Sequence, residues 1–236
     1  MATVSKIMTE LKKKGSEQTR KIYSNHGLGL ESFGVKVADL KAIAKTIKGE
    51  QKLACELFDT GNADAMYLAG LVADGSQMTK RQLDLWARNS RWYMISEYTV
   101  PFVAHEHKDA ANIAMKWIKS KTECVAAAGW ATYAGVLATR EDEDLDLGEI
   151  MELLKKVESE IDEAPNRVRY SMNGFVISVA ACVKPLLKES KSTAKKIGKV
   201  EVEMGKTSCK VPLATDYIAK MESSGRIGRK RKSIKC

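Results

Sequence analysis

The strongest constraint on this chain is its succession of short amphipathic segments, each closed by a turn signal, that come in pairs. Val37, Leu40, Ile43, Ala44 and Ile47 form one helical face, and Gly49 ends that run. Similar patterns predict helices over 5–14, 17–24, 52–59, 63–73, 80–88, 92–103, 105–118, 122–138, 147–161, 166–182 and 185–197. A last helix opens at Pro212 and ends near Ser223. Alternation of period two is confined to Val200-Glu-Val-Glu-Met204, which with Cys209-Lys-Val211 predicts a short β-ribbon over 199–211. The fold class is therefore all-α. Second members of helix pairs fall near residues 63, 92, 122 and 166, a spacing that suggests repeats of roughly 30–45 residues. Such pairs stack into an α-α superhelix with a concave face. A compact orthogonal helical domain is the alternative. The segment 122–138 is rich in Ala and Gly, which permits close approach of a neighbouring backbone.

Charge divides the chain into a body and an end. The formal net charge is +9, and Gly225 to Cys236 holds six bases and no acid. Without those six, 33 bases stand against 30 acids. We therefore read 1–224 as one domain and 225–236 as a basic tail. Arg229, Lys230, Arg231 and Lys232 would draw nucleic acid by counterion release, or form an inert solvated terminus. No apolar run approaches the roughly 20 residues a membrane span needs, and the N-terminus lacks a secretory core. A cytoplasmic protein, nucleoid-associated when bound to DNA, is expected. Five cysteines with no Cys-x-x-Cys spacing argue for reduced thiols and against a zinc site. His105-Glu-His107 places its two imidazoles at i, i+2, which diverge on a helix. We expect no metal and no cofactor.

The densest stretch is Trp86 to Tyr98, with two Trp, two Tyr, two Arg and a Glu around an Asn89-Ser90 interruption. It reads as a corner between two helices. Aromatics and arginines there either pack a core or stack on bases and hold phosphates.

The segment Tyr67-Leu-Ala-Gly-Leu-Val-Ala-Asp74, then Met78-Thr-Lys-Arg-Gln-Leu-Asp-Leu-Trp86, then Trp92, resembles the DNA alkylation repair family of HEAT-like repeat alkylpurine DNA glycosylases. Gly34-Val-Lys-Val-Ala-Asp-Leu-Lys41 is similar to the opening of that family's first full repeat, and the likeness spans roughly residues 30–185. The resemblance implies a HEAT-like array whose basic groove holds duplex DNA. It implies removal of N3- or N7-alkylated purines, in which a carboxylate, aromatic faces and a phosphate-holding base stabilise the cationic sugar. By the same resemblance Trp92 stands at the first groove Trp and Phe175, after Gly174, at the second. The carboxylate position falls on Ser96 with Glu97 beside it, and the arginine position falls near Ala126. Glu97 is then the candidate replacement acid. Arg91, Tyr93, Ser96, Arg167, Arg169 and Tyr170 are the candidate DNA contacts, the last three near the phosphate-favouring N-terminus of the 166–182 helix. Glu97 as an ordinary salt-bridge partner, and Trp92 as a core residue, are the competing readings.

Three functions stay open: a glycosylase for alkylated purines in duplex DNA, a non-excising binder of duplex or distorted DNA, and a protein–protein scaffold. DNA is the expected partner, a monomer is favoured, and no membrane association is expected.

Overall fold

The computed structural model describes residues 2–235. Those residues form thirteen α-helices and no strand. The chain divides into two compact units. One comprises residues up to Lys108 with Met204–Ser208 and Lys235; the other comprises Asp109–Glu203 with Cys209–Ile234. The first holds α1 (Val4–Lys14), α2 (Glu17–Asn25), α3 (Val37–Thr46), α4 (Gln51–Asp59), α5 (Ala63–Val72), α6 (Lys80–Asn89) and α7 (Val100–Ala104). The second holds α8 (Ala110–Ile118), α9 (Glu123–Thr139), α10 (Leu147–Glu160), α11 (Asn166–Cys182), α12 (Leu187–Ile197) and α13 (Ala214–Ser223).

Capping fixes several boundaries. The Asn62 side chain accepts from the Asp64 and Ala65 amides and starts α5. Thr79 and Gln82 form a reciprocal capping box at α6. Asp146 accepts from the Glu149 amide at α10. In the first unit α5 is buried nearly all round, and its one charged residue, Asp64, is buried with it. Phe58 of α4 stacks flat on Trp86 of α6, ring centroids 3.9 Å apart. Burying each ring contributes about 1.5–3 kcal/mol. In the second unit the small residues of α9 do what their size allows. A Cβ on Gly129 would sit 2.6 Å from the Ile118 amide nitrogen, so α8 and α9 approach at backbone distance.

The expected ribbon over 199–211 does not form. Val200, Val202 and Met204 are buried or half-buried while Glu201 and Glu203 are exposed, so the alternation is real. At Glu203 its backbone is satisfied without a return strand. The Asn166 amide donates to the Glu203 carbonyl (3.0 Å) and accepts from the Glu203 amide (2.7 Å), standing in for one rung of a ladder. The Lys206 amide donates to the Asn25 carbonyl, and Asn173 Nδ2 to the Pro212 carbonyl. The end of the chain also departs from expectation, because residues 225–235 are packed along the helices. Cys236 lies outside the described residues.

Candidate nucleic-acid interface

The corner after α6 is built by specific terminations. Ser90 donates its hydroxyl to the Ala87 carbonyl at 2.6 Å and the Arg91 amide turns back to Asn89. The following segment was expected to be one helix from 92 to 103. Instead Ile95–Thr99 forms a widened π-helical turn before α7. Pro101 supplies the reason. In an α-helix its ring would clash with the Glu97 carbonyl four residues earlier and offer it no donor. The wider turn relieves that clash. It packs on α5 at Gly70, where a Cβ would lie 2.6 Å from Thr99 Cγ2.

The aromatics of the corner form a connected cluster. Trp92 meets Tyr23 at 5.1 Å and Tyr93 at 5.5 Å. Tyr93 meets His26 at 6.1 Å and Tyr98 at 6.4 Å, and Tyr98 continues to Phe102. Trp92 is only 3% exposed and donates Nε1–H to the His26 carbonyl at 3.2 Å. It therefore anchors the loop after α2 and offers no open face to a base. Ser96 and Glu97 are buried as well, Glu97 at 8% exposure. What the corner presents to solvent is Arg88, Asn89 and Arg91, with Tyr93, Met94, Tyr98 and His26 half-buried beside them.

Beneath the cluster lies a carboxylate that sequence reasoning missed. Asp64 accepts from the Ser32 hydroxyl (2.8 Å) and from the amides of Phe33 (2.6 Å), Gly34 (3.1 Å) and Val35 (3.0 Å). That loop in turn positions Tyr23, whose hydroxyl donates to the Val35 carbonyl at 2.7 Å. Burial, helped by the Asp64 carboxylate and by Tyr93, pushes the Tyr23 hydroxyl up to about 12, so it remains a donor. One acid in an otherwise apolar helix was the available signal.

In the second unit Phe175 is fully buried, against Trp130 at 5.1 Å and Tyr133 at 5.8 Å. The aromatic face expected for DNA is spent on the core between α9 and α11. Tyr133 donates to Glu149 at 2.6 Å, and burial together with that carboxylate raises its pKa. The N-terminus of α11 does not stand open for a phosphate. Its Arg167 amide is taken by the Glu123 carboxylate at 2.7 Å, and Asn166 holds Glu203. The Arg167 guanidinium lies 4.5 Å over the Tyr170 ring. Arg169 is half-buried, and its Nε is buried without a hydrogen-bond partner.

The basic end is not a free tail. The Gly228 amide donates to the Ala181 carbonyl and the Arg231 amide to the Ala138 carbonyl, at the C-terminal ends of α11 and α9. Lys230, with an 11% exposed side chain, donates to the Leu137 carbonyl at 3.0 Å. Its ammonium also lies 2.8 Å from Asp142 Oδ1, off the hydrogen-bond direction, as an ion pair. In the first unit Lys235 donates to the Ala73 carbonyl just past α5 and pairs with Glu106 at 2.9 Å. The last carbonyls of a helix lack amide donors and carry partial negative charge, which an ammonium satisfies. Lys230 is thereby withdrawn from DNA contact, whereas Arg229, Arg231 and Lys232 remain exposed.

Comparison with known proteins decides the family. The model of the DNA alkylation repair enzyme family matches residues 7–189. The chain belongs to the DNA alkylation repair enzyme family. Uncharacterized protein Lin0241 of Listeria innocua is 34% identical over 226 residues, covering 93% of this chain and 97% of its own. Uncharacterized protein Lmo0209 of Listeria monocytogenes is 32% identical over the same coverage. A solved structure aligns over 100% of both chains with a TM-score of 0.91 and 37% identity. It is described as a new family of proteins related to the HEAT-like repeat DNA glycosylases with affinity for branched DNA structures. The fold of this member of the DNA alkylation repair enzyme family is thus the all-α HEAT-like type.

Proposed function

We propose that this protein binds DNA, prefers branched or distorted duplexes over linear ones, and does not excise bases. The likeness to the branched-DNA-binding relative carries this reading, since it spans the whole of both chains. The residues matched to the glycosylase site support it. Ser96 stands where the carboxylate is expected, and the second aromatic, Phe175, is sealed in a core. A group that stabilises a developing sugar cation must be aimed at it before the bond breaks. Glu97, 8% exposed on the π-turn, is not presented in that way. Arg91, Arg229, Arg231 and Lys232 are exposed cations suited to phosphate contact, which positions DNA without reading sequence.

The test pairs two assays on the wild-type protein. Anisotropy titrations of a labelled four-way junction and a linear duplex of equal length should give at least about tenfold tighter binding to the junction, or ~1.4 kcal/mol. Incubation with methylated duplex should release no free base. Equal affinity for the two DNAs would remove the branch preference. Release of N3- or N7-methylpurine would restore the glycosylase reading and make Glu97→Gln the next variant.

A further inference from the structure

Helix α12 carries charge in a row. Lys184, in the turn before it, and Lys188, Lys191 and Lys195 follow at intervals of four, three and four, which places them on one side of the helix. All four are exposed, while Ser190 and Thr193 are buried on the opposite side. Lys191 is bridged to Glu222 of α13 at 2.8 Å. Among the described residues, no carboxylate forms an ion pair with Lys184, Lys188 or Lys195. The row continues into the packed chain end, because Gly228 lies against Lys184 and is followed by exposed Arg229.

The surface around this row is shaped. A hollow of about 450 Å³ opens between α12 and α13. Its floor is Ala194, Ile218 and Ala219, and its rim carries the three helical lysines, the hydroxyls of Ser192 and Thr215, and one carboxylate, Glu222, which is already paired with Lys191. A second hollow of about 300 Å³ lies between α10 and α12 and shares Lys188 and Ser192. Helix α12 is thus a ridge with ammonium groups along its crest. A small anion would need cations that converge on one point. These are strung over roughly 10 Å from Lys188 to Lys195 and about 16 Å from Lys184, at 1.5 Å per residue. A duplex strand offers one phosphate about every 3.4 Å of its axis, so the crest has the geometry of a polyanion contact.

We infer that the α12 lysine row holds the phosphate backbone of a second duplex arm when the protein binds a branch point. The inference rests on the branched-DNA reading above. A branched substrate sends duplexes in more than one direction, so it needs a phosphate contact that a linear duplex leaves unused. Lys188 and Lys195 supply the charge, and Ser192 and Thr215 supply neutral donors beside it.

The variant is Lys188→Glu combined with Lys195→Glu, with Lys12→Glu and Lys13→Glu on α1 as a control of equal charge change. All four positions are exposed, so the circular dichroism melting curves should overlay with wild type. The α12 variant should lose at least about tenfold in junction affinity while linear-duplex affinity stays within about twofold. The junction's slope of log K against log salt should flatten by roughly 1.8, the counterions of two phosphates. The control should change neither ratio nor slope beyond twofold. Equal losses on junction and linear DNA would make α12 a general duplex contact and overturn the second-arm assignment. No loss on either would overturn it outright. If wild type binds no DNA at all, the functional reading falls and takes this inference with it.

Discussion

Replacing Asp64 by alanine should destabilise the protein by about 4 kcal/mol. The carboxylate accepts from four donors of the 32–35 segment. Gly34 keeps a second acceptor in Ser32 Oγ at 2.9 Å, so three donors are left without one. Each buried donor stranded in this way costs about 1–3 kcal/mol, and the lower half of that range applies where water can enter the vacated space. Asp64→Asn should cost about half as much. Its remaining oxygen can serve the three donors now on Oδ2, while its amide turns a donor toward the Val35 N–H, now served by Oδ1. For a chain of this size each kcal/mol moves Tm by about 2–4 °C, so the alanine variant should melt about 8–16 °C lower. Urea unfolding followed by tryptophan fluorescence is the assay, since Trp86 and Trp92 both lie in the unit that Asp64 organises. Near-ultraviolet circular dichroism should weaken in parallel, because the loop holds Tyr23 against Trp92. An Asp64→Ala variant within about 1 kcal/mol of wild type would refute the view that this carboxylate organises the loop.

Lys230→Ala should destabilise by about 1–3 kcal/mol in chemical denaturation, because the Leu137 carbonyl loses its donor and Asp142 its counter-ion, whereas Lys232→Ala should stay within about 0.5 kcal/mol. Gly129→Ala should cost about 1–3 kcal/mol in the same assay, since its Cβ meets the α8 backbone at 2.6 Å and that backbone must move. His105 is buried with its ring on the Pro101 carbonyl at 2.9 Å. Burial, aided by Lys235 and opposed by Glu106 and by the Pro101 and Phe102 carbonyls, holds its pKa below the ordinary 6.5. The unfolded chain therefore takes up a proton that the folded chain refuses. Stability should be full above pH 6.5 and fall as the pH drops below it, a slope that Tm measurements between pH 7 and 5.5 should show reduced in His105→Gln.

The helices were legible because apolar periodicity marked their buried faces, and side-chain caps at Thr3, Ser16, Asn62, Thr79 and Asp146 marked five of their starts. The ribbon misled because alternation reports one buried face of an extended segment and says nothing about what pairs its backbone. Here Asn166, distant in sequence, takes that part. Family likeness located Trp92 and Phe175, but not their burial. Helices α9 and α11 are buried on most of their circumference, so no face could be assigned from the pattern. The basic end was legible as charge only. Its docking depends on unpaired carbonyls at the ends of α9, α11 and α5, which exist only once those helices are assembled. Asp64 was hidden for a similar reason, because its partners lie some thirty residues upstream in a loop with no period of its own.

We propose that this HEAT-like protein recognises the shape of branched DNA. A competition experiment tests it most directly. Wild-type protein is held on a labelled four-way junction at physiological salt and challenged with an unlabelled linear duplex of equal length. About a tenfold excess of linear DNA should displace no more than about half of the junction, the mark of a preference near 1.4 kcal/mol. Displacement by an equimolar amount of linear duplex, or failure to retain the junction before any competitor is added, would contradict it.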